Sequence, residues 1–215
     1  MDKSMAENTF EFFSEAEQQT IRKAVSDAES RSSGEIAIMV VPESERYREA
    51  EELGSLLLAG LLALALCVAS RHVTIWTYIP LVFLLFFPAL LLFRRFPRLK
   101  LPFAGVRRQA EAVRQRALTA FYEQGLFRTR DETGILIFVS LLERKVWILG
   151  DRGINEIIPV GYWQSLAGQV AAGVRSGQAA EAICSVIAAC GSELAHHFPH
   201  RHDDKNELTD EIITS

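Results

Sequence analysis

The chain has 215 residues, 49% of them hydrophobic, and a formal net charge of −4. That length suits one well-packed domain with little left for a second, and the weakly negative balance excludes a general polyanion binder. The three cysteines, Cys67, Cys184 and Cys190, are odd in number and form no C-x-x-C pair, so they read as buried thiols in a reducing compartment.

The first residues, "MDKSMAENTFEFFSEAEQQ", are acidic and polar, unlike a signal peptide. Ser14 and Glu17 have the spacing of a capping box, which predicts a helix from there to about Arg31. Ser32-Ser33-Gly34 breaks it. "EIAIMVV", Glu35 to Val41, is β-branched and apolar and reads as a strand that Pro42 ends.

Two apolar runs come next, Leu53 to Ser70 and Val73 to Phe93, separated only by Arg71 and His72. Each is close to the 20 or so residues that cross a hydrocarbon core of about 30 Å. A transmembrane helical hairpin with a tight turn is predicted. Arg46 and Arg48 precede the first run, and Arg94, Arg95, Arg98, Lys100, Arg107 and Arg108 come after the second. By the positive-inside rule both termini are cytoplasmic, in the inner (cytoplasmic) membrane. Trp76 and Tyr78 suit an interfacial belt, and Pro80 and Pro88 are potential kinks. Neither run contains a charge, which argues against a pore.

Beyond the hairpin, Val106, Ala110, Val113, Ala117 and Phe121 recur at helical spacing, with Gly125 as C-cap. "GILIFVS", Gly134 to Ser140, and "KVWILG", Lys145 to Gly150, read as a β-hairpin turning at "LLER". Helices are predicted from about Gly161 to Arg175 and from about Ala179 to His196. A lone N-terminal strand would be an orphan edge, so it should join the later pair. The expected fold is α/β: a small mixed sheet of three or four strands with flanking helices, interrupted by a two-helix transmembrane hairpin. The expected divisions are 1–50 for the first part of the soluble domain, 51–95 for the hairpin, 96–200 for the remainder and 201–215 for a polar tail.

Three stretches, "SGEIAIMVV", "FYEQGLFRTRDETGILIFVSLLERKVWILGDRGI" and "HFPHRHDDKNEL", together resemble the TPM-domain family, closest to its bacterial membrane branch. The likeness runs from about Phe12 to Ile212. It implies a TPM-like α/β sandwich. It also implies either an accessory role in assembling or repairing membrane complexes, or the acid phosphatase activity associated with a plant member. Many relatives carry a signal peptide, which this chain departs from.

Three places can carry chemistry. In "GDRGINEIIP", Asp151 can ligate a hard cation, Ca²⁺ or Mg²⁺, assisted by Asn155 or Glu156, and Arg152 can hold a phosphate or carboxylate. The bland alternative is a turn in which Gly153 takes a positive φ and Asp151 bonds nearby backbone. In "RTRDETG", Arg130 with Asp131 or Glu132 forms an Arg–acid pair facing that loop, or a solvated connection. The basic stretch from Arg94 to Arg116 suits anionic headgroups or simple anchoring. It lacks interleaved aromatics or a reading element, so nucleic acid is not an expected partner.

The tail "HHFPHRHDDKNEL" reads as a clasp folding back on the domain, with Asp203 and Asp204 as the alternative metal ligands rather than its histidines. No G-x-S-x-G, Walker A loop or H-E-x-x-H is present. Two functions are therefore expected. One is a membrane-anchored accessory or scaffold factor with lipid and membrane-protein partners. The other is a metal-dependent, phosphatase-like hydrolase.

Overall fold

The structure is a computed structural model, and it describes residues 12–71, 74–200 and 212–214. The chain forms two compact units. One comprises the described residues of Met1–Ser44 and Ala112–Ser215, and the other is Glu45–Glu111.

The first unit is a four-stranded mixed sheet. β1 (Ile36–Val41) pairs in parallel with β2 (Ile135–Ser140), which pairs antiparallel with β3 (Lys145–Gly150). A two-residue strand, β4 (Ile213–Thr214), pairs in parallel with the other edge of β1 at Met39 and Val40. The order is β3-β2-β1-β4. β1 and β2 are buried along their whole length. Continuous apolar sequence is what burial on both faces demands.

One sheet face packs Ile38, Val40, Ile137 and Val139 against three helices. These are α1 (Glu15–Glu29) through Ile21 and Val25, α7 (Val160–Ser176) through Leu166 and Val170, and α8 (Ala179–His197) through Ile183, Ile187 and Leu194. The other face packs Met39, Leu136 and Phe138 under Val113, Ala117 and Phe121 of α5 (Val106–Glu123). This is the expected α/β sandwich. The capping box forms as its spacing predicts. Ser14 Oγ accepts from Glu17 N at 3.3 Å, and Glu17 Oε2 accepts from Ser14 N at 2.8 Å.

The second unit holds two helices long and apolar enough to cross a membrane, α2 (Arg48–Ala69) and α3 (Ile75–Arg95). α3 runs on through Pro80 and Pro88. Small residues line the inner stripe of α2: Gly54, Ser55, Ala59, Ala63 and Cys67. A Cβ at Gly54 would strike the Phe93 ring, so this glycine sets how closely the helices approach. The outer surfaces are bare apolar side chains: Trp76 is 87% exposed, Phe83 68% and Leu84 69%. Arg71 turns the chain with φ 59. His72 and Val73, expected to end the turn and begin the second span, lie outside the described residues.

Candidate functional site

Three segments meet at the end of the sheet where β1 and β2 begin. Glu35 O accepts from Ile135 N at 2.8 Å and Thr133 Oγ1 donates to Ser33 O at 3.2 Å. Asp151 N donates to Gly134 O at 2.8 Å and Gly153 N to Glu132 O at 2.9 Å. The loop carrying Arg130, Asp131 and Glu132 therefore lies beside the loop carrying Asp151.

β3 is antiparallel to β2, so the loop leaving β3 sits at the amino end of the parallel pair, not at the carboxyl end where open α/β sheets bind ligands. Gly153 differs from expectation. It lies in a short helix, α6 (Arg152–Asn155), and is not among the positive-φ residues. Its lack of a side chain is needed because a Cβ would fall on the Asp131 carbonyl.

The candidate side chains have distinct fates. Asp151 caps α6, with Oδ1 accepting from Arg152 N at 2.8 Å. Its Oδ2 is buried and has no hydrogen-bond partner among the described residues. Asn155 is committed to structure. Its Nδ2 donates to Gly150 O at 2.5 Å, and its Oδ1 accepts from Trp163 Nε1 at 2.8 Å. Arg152 and Glu156 pair at 3.1 Å with side chains 76% and 65% exposed, a contact of little energetic weight. Asp131 Oδ2 accepts from Ser33 Oγ at 3.3 Å, and Arg130 is exposed.

On the Asp151 loop a divalent cation would find the buried Asp151 Oδ2. Among the described residues no group of three or more His, Cys, Asp or Glu is placed to hold a metal. Asp203 and Asp204 lie outside the described residues. The described part of the tail does fold back: Phe198 O accepts from Ser33 N at 3.0 Å, and Ser32 bridges Pro199. His197 stands 3.8 Å from Glu193 on the same helix.

Sequence reasoning missed a second cluster, at the carboxyl end of the parallel pair. Glu143, in the turn read only as "LLER", is buried. Its Oε1 accepts from Ser44 N at 3.1 Å, and its Oε2 accepts from Ser140 Oγ. Ser44 Oγ donates to Ser140 Oγ at 2.9 Å. The signal was a lone acid in a tight turn after two leucines, which a pattern search passes over.

The sheet and its helices define an α/β-sandwich protein. Residues 104–193 match the family model described as TPM domain, so this part of the chain is similar to that family, as the resemblance implied. The fold is similar to the NMR structure of the BA42 protein from the psychrophilic bacterium Bizionia argentinensis sp. nov.. That likeness has a TM-score of 0.59 at 20% identity, covering 95% of this chain and 96% of the other. No curated protein matches the chain.

Proposed function

We propose that this chain is a membrane-anchored accessory or scaffold factor for a membrane-protein complex. α2 and α3 sit in the inner (cytoplasmic) membrane, the α/β unit stands at the cytoplasmic surface, and both termini are cytoplasmic. The bare apolar surface of the hairpin carries this reading, because Phe83, Leu84 and Phe87 need a hydrocarbon environment to cover them. The basic excess around Arg94, Arg95 and Arg98, against Arg71 at the turn, supports the orientation. The commitment of Asn155 to local structure favours a binding role over catalysis. Alkaline carbonate should leave the protein in the membrane pellet, and mild-detergent purification should bring down a specific membrane protein. Release by carbonate, or purification without a reproducible partner, sinks the reading.

The buried Asp151 Oδ2 supports a second reading, a metal-dependent phosphatase-like hydrolase. Purified protein with Mg²⁺, Mn²⁺ or Ca²⁺ should then hydrolyse a phosphomonoester, and Asp151→Asn should abolish turnover. Absence of turnover with all three ions removes it.

A further inference from the structure

We propose that the segment from Phe96 to Arg107 is a foot lying in the plane of the membrane interface, where its outward arginines bind the headgroups of anionic phospholipids. The inference rests on the membrane reading above, since α3 fixes the depth of the residues beyond its carboxyl end. α3 has 21 residues, which at about 1.5 Å per residue spans a hydrocarbon core of about 30 Å. The chain then stops being one long helix. Phe96 leaves helical geometry with φ −123 and ψ 78. A 3₁₀ turn, Pro97–Lys100, and a single α-turn, α4 (Leu101–Ala104), come before Gly105 at φ 75.

This segment is held to the base of the hairpin. Lys100 is only 5% exposed; its Nζ donates to Arg46 O at 2.8 Å and stands 5.8 Å from the centroid of the Tyr47 ring. Phe103 lies against Phe93 with ring centroids 5.8 Å apart, and a Cβ on Gly54 would collide with both rings. Gln109 Nε2 donates to Leu101 O at 2.8 Å.

The cations of this region divide into two sets. Arg94 pairs with Glu51 at 2.8 Å, and Arg108 pairs with Glu45 at 2.7 Å and Glu49 at 2.5 Å. These pairs use the acids of the first turn of α2 and those just before it. Arg95, Arg98 and Arg107 are exposed and pair with no carboxylate among the described residues. Beside them Phe96, Leu99, Phe103 and Val106 are exposed as well. Apolar side chains and unpaired guanidinium groups interleaved at the end of a span match an acyl–headgroup boundary bearing negative charge. A guanidinium also fits a phosphodiester through two parallel N–H donors. An acidic protein surface would complement the arginines but would leave the phenylalanines and Leu99 without a partner.

The test uses the full chain, purified in mild detergent and mixed with phosphatidylglycerol or with phosphatidylcholine of the same acyl chains. Lipid retention is read by native mass spectrometry. Phosphatidylglycerol should be retained in preference, and added salt should weaken that preference. The combined variant Arg95→Gln, Arg98→Gln, Arg107→Gln should lower phosphatidylglycerol retention by about tenfold or more and leave phosphatidylcholine unchanged. The control variant Arg22→Gln, Lys23→Gln, with both changes on α1, should retain phosphatidylglycerol as the parent does. Equal retention of the two lipids by the parent overturns the inference, as does a triple variant that matches it or a control that loses as much. Carbonate extraction runs in parallel. A chain that resists carbonate but shows no lipid preference disproves the foot alone, whereas release by carbonate disproves the membrane reading beneath it.

Discussion

β2 and α3 are both runs of branched and aromatic apolar residues, yet their surfaces end in opposite places. Ile135, Leu136, Ile137, Phe138 and Val139 of β2 are wholly buried, while Trp76, Phe83, Leu84, Phe87 and Leu91 of α3 face outward. The difference lies in length and in neighbours. A six-residue strand is enclosed by helices on both faces of its sheet. A 21-residue helix finds only one narrow stripe, along the small residues of α2. Apolar content alone therefore does not say whether a segment makes a core. What matters is whether the rest of its unit supplies enough surface to cover it.

Substitutions can break or sharpen this contrast. The largest effect is expected for Phe138→Ala, which should cost about 3–5 kcal/mol by leaving a cavity under α5. In denaturant melts Phe87→Ala should move the same transition by less than about 0.5 kcal/mol, because that ring is exposed. Equal shifts would erase the distinction between the two regions.

Next comes Leu84→Arg, at mid-helix on the outer surface. It should make insertion of α3 less favourable by about 2.5–3.5 kcal/mol in a translocon insertion assay, with no loss of strand signal from the α/β unit. An unchanged insertion efficiency would place this surface against protein or water instead.

Glu143→Ala should cost the α/β unit about 1–3 kcal/mol, because Ser44 N and Ser140 Oγ lose their acceptor in a buried turn. A smaller loss with Glu143→Gln, which retains an acceptor, would assign the effect to the hydrogen bonds.

A modest loss is expected for Ser14→Ala, at about 1 kcal/mol for a lost N-cap. Its pH dependence carries a sign. The Ser14 hydroxyl and backbone N–H hold the Glu17 carboxyl below its ordinary value. Glu17 therefore contributes stability that is present above the ordinary carboxylate range and is lost as pH falls through its lowered folded value. The gap between parent and variant should narrow in thermal melts taken in acid, since of the bonds lost only that from Ser14 Oγ to the Glu17 carboxylate titrates, and a gap that stays constant would show that the carboxylate plays no part.

Much of the fold was legible because its signals are local. The capping box, the strands at Glu35–Val41 and Lys145–Gly150 and the helical spacing from Val106 to Phe121 each declare themselves within a few residues. The less visible parts depend on partners far away in sequence. Two residues near the end of the chain, Ile213 and Thr214, become a strand only because β1 offers an open edge. The hairpin reading already set β3 against β2, but that β1 joins β2 in parallel, and so puts Asp151 at the amino end of that pair, is a property of topology. The candidate site was legible as a pair of loops. What each side chain does there was not, since Asn155 finds its partner in Trp163 on another helix and Glu143 turns inward from a loop.

The parallel pairing of β1 with β2 also sets a timetable. These strands lie about 100 residues apart in sequence, a separation that the Thr133–Ser33 hydrogen bond also spans. On a ribosome β1 emerges early and has no partner until both hairpin helices and α5 have been synthesised. Closing so long a loop is slow and leaves an unpaired apolar strand exposed in the interval. With the hairpin threaded into the bilayer, its two ends are held on one side and the effective loop shortens. Delivery to the membrane would then act as a folding step for the sheet, and synthesis without membranes should yield a chain that aggregates through β1.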